Sequence, residues 1–248
     1  MFAAAIAPAV ILVLYIYLKD KYQREPLKQI LKGLLYGLVS AGIAIVFASL
    51  LQLIGIAPTE MNNVRDAFMT AFFSAAIPEE SAKLLMLWLL VRKNPYFDEY
   101  VDGIVYAVAV GMGFAGFENI LYVFQSGGNW VGTAWTRALL SVPGHYMFAV
   151  IMGYYYSYVH FHKGHNYFRM SMMLVAPVIL HGLFDAFLME GQVIEDETIA
   201  GLLVILFFIL FIFGQRRARK AIRRQLQRDL DATAISSEDG FSIDQIIW

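Results

Sequence analysis

Long apolar runs, separated by short polar or Gly- and Pro-bearing segments, recur along the whole chain. A transmembrane helix needs roughly 20 mostly apolar residues to cross the ~30 Å hydrocarbon core of a bilayer, and most of the runs approach or exceed that length. The pattern predicts an all-α fold, a polytopic transmembrane helical bundle with about seven spans. The expected spans cover residues 2–18, 33–56, 67–91, 103–125, 135–159, 168–189 and 198–214.

Composition agrees with a membrane protein. Of the 248 residues, 59% are hydrophobic and only 16% are charged, whereas soluble domains carry about 25% charged residues. The chain has no cysteine, which excludes disulfides and thiolate metal sites. It also lacks a strongly basic domain, so we expect the lipid bilayer as its surroundings and no nucleic-acid partner.

The distribution of Lys and Arg predicts the orientation of the bundle. Sixteen basic residues follow the first, third, fifth and seventh runs, whereas the alternate loops hold only Arg65 and Arg137. The first run has no basic segment ahead of it, unlike a secretory signal peptide. We therefore expect a retained first span, an N-terminus outside and a C-terminus in the cytoplasm.

The chain is expected to divide into a transmembrane bundle over residues 1–214 and a cytoplasmic basic amphipathic tail over residues 215–248. Ile222, Leu226 and Leu230 are spaced at i, i+4 and i+8 in this tail. Such a helix is able to lie on anionic lipid. A solvated stop-transfer segment is an equally good interpretation.

Two adjacent carboxylates and an ammonium, Glu79, Glu80 and Lys83, lie inside the third apolar run. A charge at that depth costs at least a few kcal/mol, so it usually faces protein or a water-filled cavity and marks a functional site. On a helix, Lys83 is within reach of both carboxylates. The structural alternative is an ion pair that only fixes helix packing, but such a pair needs one carboxylate and this run carries two.

Further ionisable groups lie in the next three runs: Glu118, His145, and His181 with Asp185. His181 and Asp185 are spaced i, i+4, so the carboxylate can accept the imidazole N–H and fix its tautomer. With a rise of ~1.5 Å per residue, all these groups lie between the middle of the membrane and its outer half. We therefore predict that four helices form one polar pocket, rather than separate packing contacts.

Activation of water is the chemistry that suits this set of side chains, because the chain has no cysteine and no convincing Ser/His/Asp set. A buried carboxylate is a candidate general base. The histidines either bind a metal together with a carboxylate or stabilise an oxyanion directly. His160, His162 and His165 lie in a predicted cytoplasmic loop, where we expect solvated side chains and not a metal cluster.

The polar motifs follow one another in a characteristic order over about residues 66–190. They are Glu79-Glu80-x-x-Lys83, Phe117-Glu118-Asn119 with Tyr122, the lone His145, and His181-x-x-x-Asp185, and the Asp102-Gly103-Ile104-Val105-Tyr106 opening with the Gly-rich approach to Glu118 adds to them. This set resembles the PrsW family of bacterial intramembrane proteases. That family is related to the CAAX prenyl protease/Abi group and to the Aph subunit of γ-secretase.

The resemblance implies a multi-pass enzyme of the bacterial cytoplasmic membrane. It implies site-1-type cleavage of a single-span membrane protein, typically an anti-sigma factor, near the extracytoplasmic face. The expected catalytic residues are Glu79, Glu80, Glu118, His145 and His181, supported by Lys83, Asn119, Tyr122 and Asp185.

Relatives in this group are described both as metalloproteases and as glutamate-type enzymes. In the metal-dependent version, His145 and His181 with Glu118 or Glu80 bind one divalent ion, such as Zn²⁺, and Glu79 is the base. Two other functions remain open: a non-catalytic scaffold or substrate-recognition subunit, and a proton- or cation-coupled transporter. No pair of broken helices at matching positions of two repeats is visible, which weakens the transporter hypothesis.

Overall fold

The structure is a computed structural model that describes residues 1–20, 23–162, 164 and 166–238, with side chains described as far as residue 234. His165, the basic residues Lys21 and Lys163, and residues 239–248 of the expected tail lie outside this part. The all-α prediction is confirmed, because the described residues form helices and no strand.

Nine α-helices follow one another in the described part of the chain. They are α1 (Phe2–Lys19), α2 (Leu27–Leu53), α3 (Val64–Met69), α4 (Ile77–Val91), α5 (Asp102–Gln125), α6 (Trp130–Thr136), α7 (Val142–Phe161), α8 (Tyr167–Val193) and α9 (Glu197–Glu238). A short 3₁₀ turn, Gly127–Asn129, precedes α6. Two π-helical segments, Thr70–Ala76 and Arg137–Ser141, join α3 to α4 and α6 to α7.

Five of these helices are long and apolar enough to cross a membrane, namely α1, α2, α5, α8 and α9. They coincide with five of the seven expected spans. The remaining two expected spans, 67–91 and 135–159, fall on the composite helices that the π-helical segments divide. The count of seven and the orientation of the termini stay predictions.

Helix α5 forms the centre of the bundle. Of its span 72% is buried, whereas at most 28% of each of the other four candidate spans is buried, and it packs against α1, α2, α4 and α7. A Cβ atom added to Gly37 of α2 would collide with the carbonyl oxygen of Val110, and one added to Gly113 of α5 would collide with that of Leu34. Glycine is required at both positions because the two backbones touch there.

Proline accounts for both π-helical segments. Pro78 and Pro143 lie two residues after their ends, and a proline has no N–H to donate and crowds the carbonyl four residues before it. The helix forms a wider turn in place of the regular i to i−4 hydrogen bonds, so that Ile77 N–H donates to the carbonyl of Phe72, five residues back. Val142 N–H donates to that of Arg137 in the same way. Wide turns of this kind are frequent at functional sites, and here each one leads into an ionisable motif.

The basic tail begins as an uninterrupted continuation of α9. Ile222 is buried in the main core and Leu226 packs against it. Asp229 accepts hydrogen bonds from the backbone N–H groups of Tyr100 and Val101, at 2.7 and 3.0 Å, just before α5 begins. The apolar face of the tail therefore packs on the bundle in the described residues; its association with lipid stays a prediction.

Candidate active site

The ionisable groups of the four central motifs meet in one buried cluster. Glu80, Lys83, His145 and His181 are almost completely inaccessible, while Glu79, Glu118 and Asp185 keep a small exposed fraction. The groups come from α4, α5, α7 and α8. The four motifs thus occupy one place in the fold, as the sequence predicts.

The Lys83 ammonium lies at the centre of the cluster. Its Nζ atom is 2.8 Å from Glu80 Oε1 and 3.1 Å from Glu79 Oε2. It is also 3.9 Å from the centroid of the Phe114 ring. The two carboxylates share this cation but differ in surroundings, because Glu80 is 0% exposed and Glu79 is 13% exposed.

The hydrogen-bond partners of His145 determine its tautomer. Its Nδ1 atom lies 3.2 Å from Lys83 Nζ, and an ammonium only donates, so Nδ1 accepts. In the neutral ring the proton therefore sits on Nε2, which lies 2.9 Å from Glu118 Oε2 and donates to it. His145 thus connects the Glu79–Glu80–Lys83 motif to Glu118.

His181 lies between carboxylates on both sides. Its Nδ1 atom is 2.9 Å from Glu80 Oε1, and its Nε2 atom is 3.2 Å from Asp185 Oδ2 and 3.9 Å from Glu79 Oε2. The ring stacks on Phe148 with a centroid distance of 4.7 Å. The contact with Asp185 has the i, i+4 spacing predicted from the sequence, and it orients the imidazole.

Arg137 also belongs to the cluster, although its position in the sequence marks it only as a loop charge. Its Nη2 atom donates to Glu118 Oε2 at 2.7 Å, and its Nε atom donates to Asn119 Oδ1 at 2.7 Å. The guanidinium also lies 4.1 Å from the centroid of the Tyr122 ring. Asn119 in turn donates to the carbonyl of Ala5 at 2.6 Å. The available signal was a charge just inside the edge of the expected span 135–159.

The histidines that were expected to be solvated lie far along α7 from this cluster. His160 and His162 are exposed at its end. His160 packs on Phe97 and His162 on Tyr158, with centroid distances of 4.5 and 4.7 Å. Their exposure agrees with the expectation, and neither belongs to the group that resembles a metal site.

Two cavities reach the cluster. The smaller one has a volume of about 100 Å³ and is lined by Glu79, Glu118, Arg137, His181 and Asp185, among others. A water needs only about 10–15 Å³ measured in this way, so the cavity has room for several. The larger one, of about 270 Å³, lies between α2 and α5. Glu79 and Glu118 line both cavities.

Four of the side chains fit a divalent cation. Glu79, Glu80, His145 and His181 each offer a ligand atom, and these atoms all lie within 4.8 Å of one another. Imidazole nitrogens with carboxylate oxygens form a donor set that Zn²⁺ accepts. Within the described part of the chain, the buried Glu80 Oε2 has no hydrogen-bond partner and is thus able to accept one. Glu118 lies outside this group.

Comparison with known proteins gives a consistent result. A family model described as PrsW family intramembrane metalloprotease matches residues 25–213. Protease PrsW of Geobacillus kaustophilus is 38% identical over 193 residues, covering 77% of this chain and 81% of the relative. Protease PrsW of Bacillus subtilis is 36% identical over 221 residues, covering 88% of this chain and 94% of the relative.

Protease PrsW of Clostridioides difficile is 35% identical over 214 residues, covering 85% of this chain and 87% of the relative. No solved structure matches the chain. The matched residues include the whole buried cluster and all but the first candidate span and the tail. The family resemblance of the motifs is thereby confirmed: the chain belongs to the PrsW family of intramembrane metalloproteases and is a multi-pass, membrane-embedded hydrolase.

Proposed function

We propose that this protein is an endopeptidase that hydrolyses one peptide bond of a single-span membrane protein, in site-1-type cleavage of a substrate such as an anti-sigma factor. Its relatives are bacterial, which supports a place in the bacterial cytoplasmic membrane. The observation that carries the proposal is a buried cavity with room for water, lined by carboxylates and imidazoles from four helices. The buried network alone would also suit a proton relay, but membership of a protease family favours the enzyme.

Glu79 is the general base in this proposal. It lines the small cavity and keeps some exposure, so a water molecule in that cavity is within its reach. Glu80 is fully buried between Lys83 and His181. The two adjacent carboxylates therefore have different roles. Glu79 accepts and donates protons, and Glu80 fixes the positions of Lys83 and His181.

Hydrolysis then needs one proton transfer in each direction. Glu79 takes a proton from water as the water oxygen attacks the scissile carbonyl carbon. The proton passes to the amide nitrogen as the C–N bond breaks, which leaves a carboxylic acid and an amine. Negative charge builds on the carbonyl oxygen meanwhile, and the Arg137 guanidinium, which lines the same cavity, is a donor placed to stabilise it.

The remaining predicted residues position these groups. Asp185 orients the His181 ring through Nε2. Asn119 and Tyr122 hold the Arg137 guanidinium, which in turn holds Glu118. Lys83 neutralises the adjacent carboxylates from the middle of the cluster. These residues act by positioning the reacting groups, because the contacts described for them are to other side chains of the protein.

A divalent metal ion is part of the proposal, because the family is described as metalloproteases and the donors fit. We assign His145, His181 and Glu80 as its ligands, with Glu79 left free as the base. When bound, such an ion polarises a carbonyl and makes water more acidic. Of the two carboxylates considered from the sequence, Glu80 is favoured over Glu118, which is paired with Arg137.

Metal analysis of purified active protein tests the cofactor. We expect about one divalent ion per chain in active protein, and loss of cleavage after chelation that is restored by Zn²⁺. Full activity in metal-free protein would remove the ion from the mechanism and leave the glutamate-type alternative.

Substitution of the cluster tests the enzyme itself. Glu79→Ala, Glu80→Ala, Glu118→Ala and His181→Ala variants should insert into the membrane yet fail to cleave a co-expressed single-span substrate. His160→Ala, at the exposed end of α7, is the matched control and should cleave normally. Full cleavage by both the Glu80 and the His181 variant would defeat the assignment.

A further inference from the structure

A groove between the C-terminal halves of α2 and α5 leads to the catalytic cluster. The two helices touch at Gly37 and Gly113. Beyond that contact, towards the C-terminal end of α2, they leave a cavity of about 270 Å³. Its α2 wall includes three alanines, Ala41, Ala44 and Ala48, together with Ile45. The groove therefore forms because the backbones touch at the two glycines, while the alanines further along α2 are too small to fill the space between the helices.

The chemistry of the groove is mostly apolar with spaced polar groups. Phe114, Phe117 and Leu121 of α5 form the opposite wall. Ser49 and Gln52 of α2 and Ser74 of the first π-helical segment line it as well. Within the described residues, the Ser74 hydroxyl is buried and has no hydrogen-bond partner. An unsatisfied buried hydroxyl is costly, so a partner from outside the chain is expected there.

An unwound peptide in a membrane has complementary needs. Inside hydrocarbon, the N–H and C=O groups of an extended segment must find partners, and the apolar side chains of a transmembrane segment must stay out of water. Serine and glutamine side chains supply the hydrogen bonds, and the alanine and aromatic walls supply the apolar contact. A lipid acyl chain would use only the walls and would leave Ser74 unsatisfied.

The groove is continuous with the reacting groups, since Glu79 and Glu118 line it and also line the smaller polar cavity. A segment in the groove thus passes directly beside the proposed base. We propose that the groove between α2 and α5 is the docking site for the apolar, unwound segment of the membrane-protein substrate that carries the scissile bond. This inference rests on the proposed proteolytic function.

If a substrate segment binds in this groove, the small side chains of α2 determine which substrate side chains fit there. Ala48 is half-buried in the groove wall, and a larger side chain there would take the space of a substrate side chain. The site should accordingly prefer small residues in the part of the substrate that passes Ala48. Leu50, two residues further along α2, is 52% exposed and does not line the groove; it provides a control at nearly the same depth.

Cross-linking tests the docking site directly. Because the chain has no cysteine of its own, every disulfide to the protein must come from the introduced cysteine. Ala48→Cys and Leu50→Cys variants, each with Glu80→Gln to prevent turnover, would be co-expressed with a single-span substrate that carries single cysteines through its membrane segment. We expect a disulfide-linked complex from Ala48→Cys at positions near the cleavage site and none from Leu50→Cys. Equal cross-linking from both, or none from Ala48→Cys, would overturn the proposal.

A steric test gives a second readout. Ala48→Trp should lower the cleavage rate by roughly tenfold or more, whereas Leu50→Trp should leave it nearly unchanged. Replacing the large substrate residues near the cleavage site by alanine should restore cleavage by Ala48→Trp, which a folding defect would not allow. Normal cleavage by Ala48→Trp would mean that the groove holds lipid or nothing, and the proposal fails while the protease stands. No cleavage by the unsubstituted protein would instead refute the proteolytic function.

Discussion

Lys83 is the single residue on which the cluster depends most. Its ammonium contacts Glu79, Glu80 and His145 and is almost fully buried. Attraction inside a low-dielectric site is strong, but so is the cost of removing each charge from water. The large effect is therefore expected when one partner is removed and the other remains as an unpaired buried charge.

Lys83→Met tests this point. Met keeps much of the apolar stem, so the main change is a Glu80 carboxylate without its cation, and we expect a loss of about 3–5 kcal/mol in stability. The midpoint of thermal unfolding in detergent should fall accordingly. The double variant Lys83→Met with Glu80→Gln should recover much of that loss, since the two positions are directly coupled. A double variant as unstable as the sum of the single ones would show that they are independent.

Arg137 makes two separate hydrogen bonds with one planar group, to Glu118 and to Asn119. Lysine keeps the charge but has no planar fork, so Arg137→Lys should hold only one of these partners. We expect Arg137→Gln to lower the cleavage rate by about 10²-fold, the effect of losing one donor that stabilises an oxyanion, and Arg137→Lys to restore only part of it. Initial rates on a reconstituted substrate measure both, with Arg65→Lys at an exposed position of α3 as the control.

At the scale of elements, the two helices that lead into the site, α4 and α7, are each preceded by a turn that proline widens. Pro78 stands directly before Glu79 and Glu80, and Pro143 stands two residues before His145. A π turn holds one residue more than a regular helix of the same rise, so it turns every later side chain relative to the earlier ones. The prolines therefore set which face of α4 and α7 points into the cavity.

Pro78→Ala should separate stability from activity. Alanine can donate to the carbonyl of Ser74 and favours a regular helix by up to ~3 kcal/mol over proline, so thermal stability should be kept or rise. The same change turns Glu79 and Glu80 away from their partners, and cleavage should fall sharply. Pro8→Ala, inside α1, is the control and should leave cleavage unchanged. A fully active Pro78→Ala variant would contradict the role given to the π turn.

Whether a feature of this structure can be predicted from the sequence depends on how far apart in the sequence the interacting residues are. Long apolar runs predicted the helices, and charges inside them predicted the cluster, because both follow from the cost of placing polar groups in hydrocarbon. The π turns were missed, since a proline in an apolar run does not reveal whether the helix kinks, ends or widens. The contact of Asp229 with Val101 joins residues 128 positions apart, and no local pattern in the tail predicts it.

At the scale of the whole molecule, the end of the bundle opposite the cluster holds a second set of buried carboxylates. Glu25, in the loop between α1 and α2, is almost fully buried and accepts a hydrogen bond from the Tyr106 hydroxyl. Burial raises the pKa of Glu25 to about 7, and the negative charges of Asp20 and Asp98 act in the same direction. Burial likewise raises the pKa of Glu99 to about 7.

This second set predicts how stability depends on pH. A carboxyl whose pKa is raised on folding, here from 4.5 to about 7 for Glu25, is bound to its proton more tightly in the folded state. Its contribution is fully present below pH 4.5 and is lost as the pH rises through about 7. The midpoint of thermal unfolding should therefore fall between about pH 5 and about pH 7.5.

Glu25→Gln isolates this contribution. Glutamine still accepts from the Tyr106 hydroxyl but carries no charge, so the variant should match the unsubstituted protein near about pH 5 and exceed it near about pH 8. Glu99→Gln should add to the effect, because both groups titrate over the same range. Glu60→Gln, at an exposed position, should reproduce the original pH profile. If Glu25→Gln instead loses stability at the alkaline end of this range, the ionised carboxylate is itself a favourable part of the fold, and the packing at this end of the bundle must satisfy its charge.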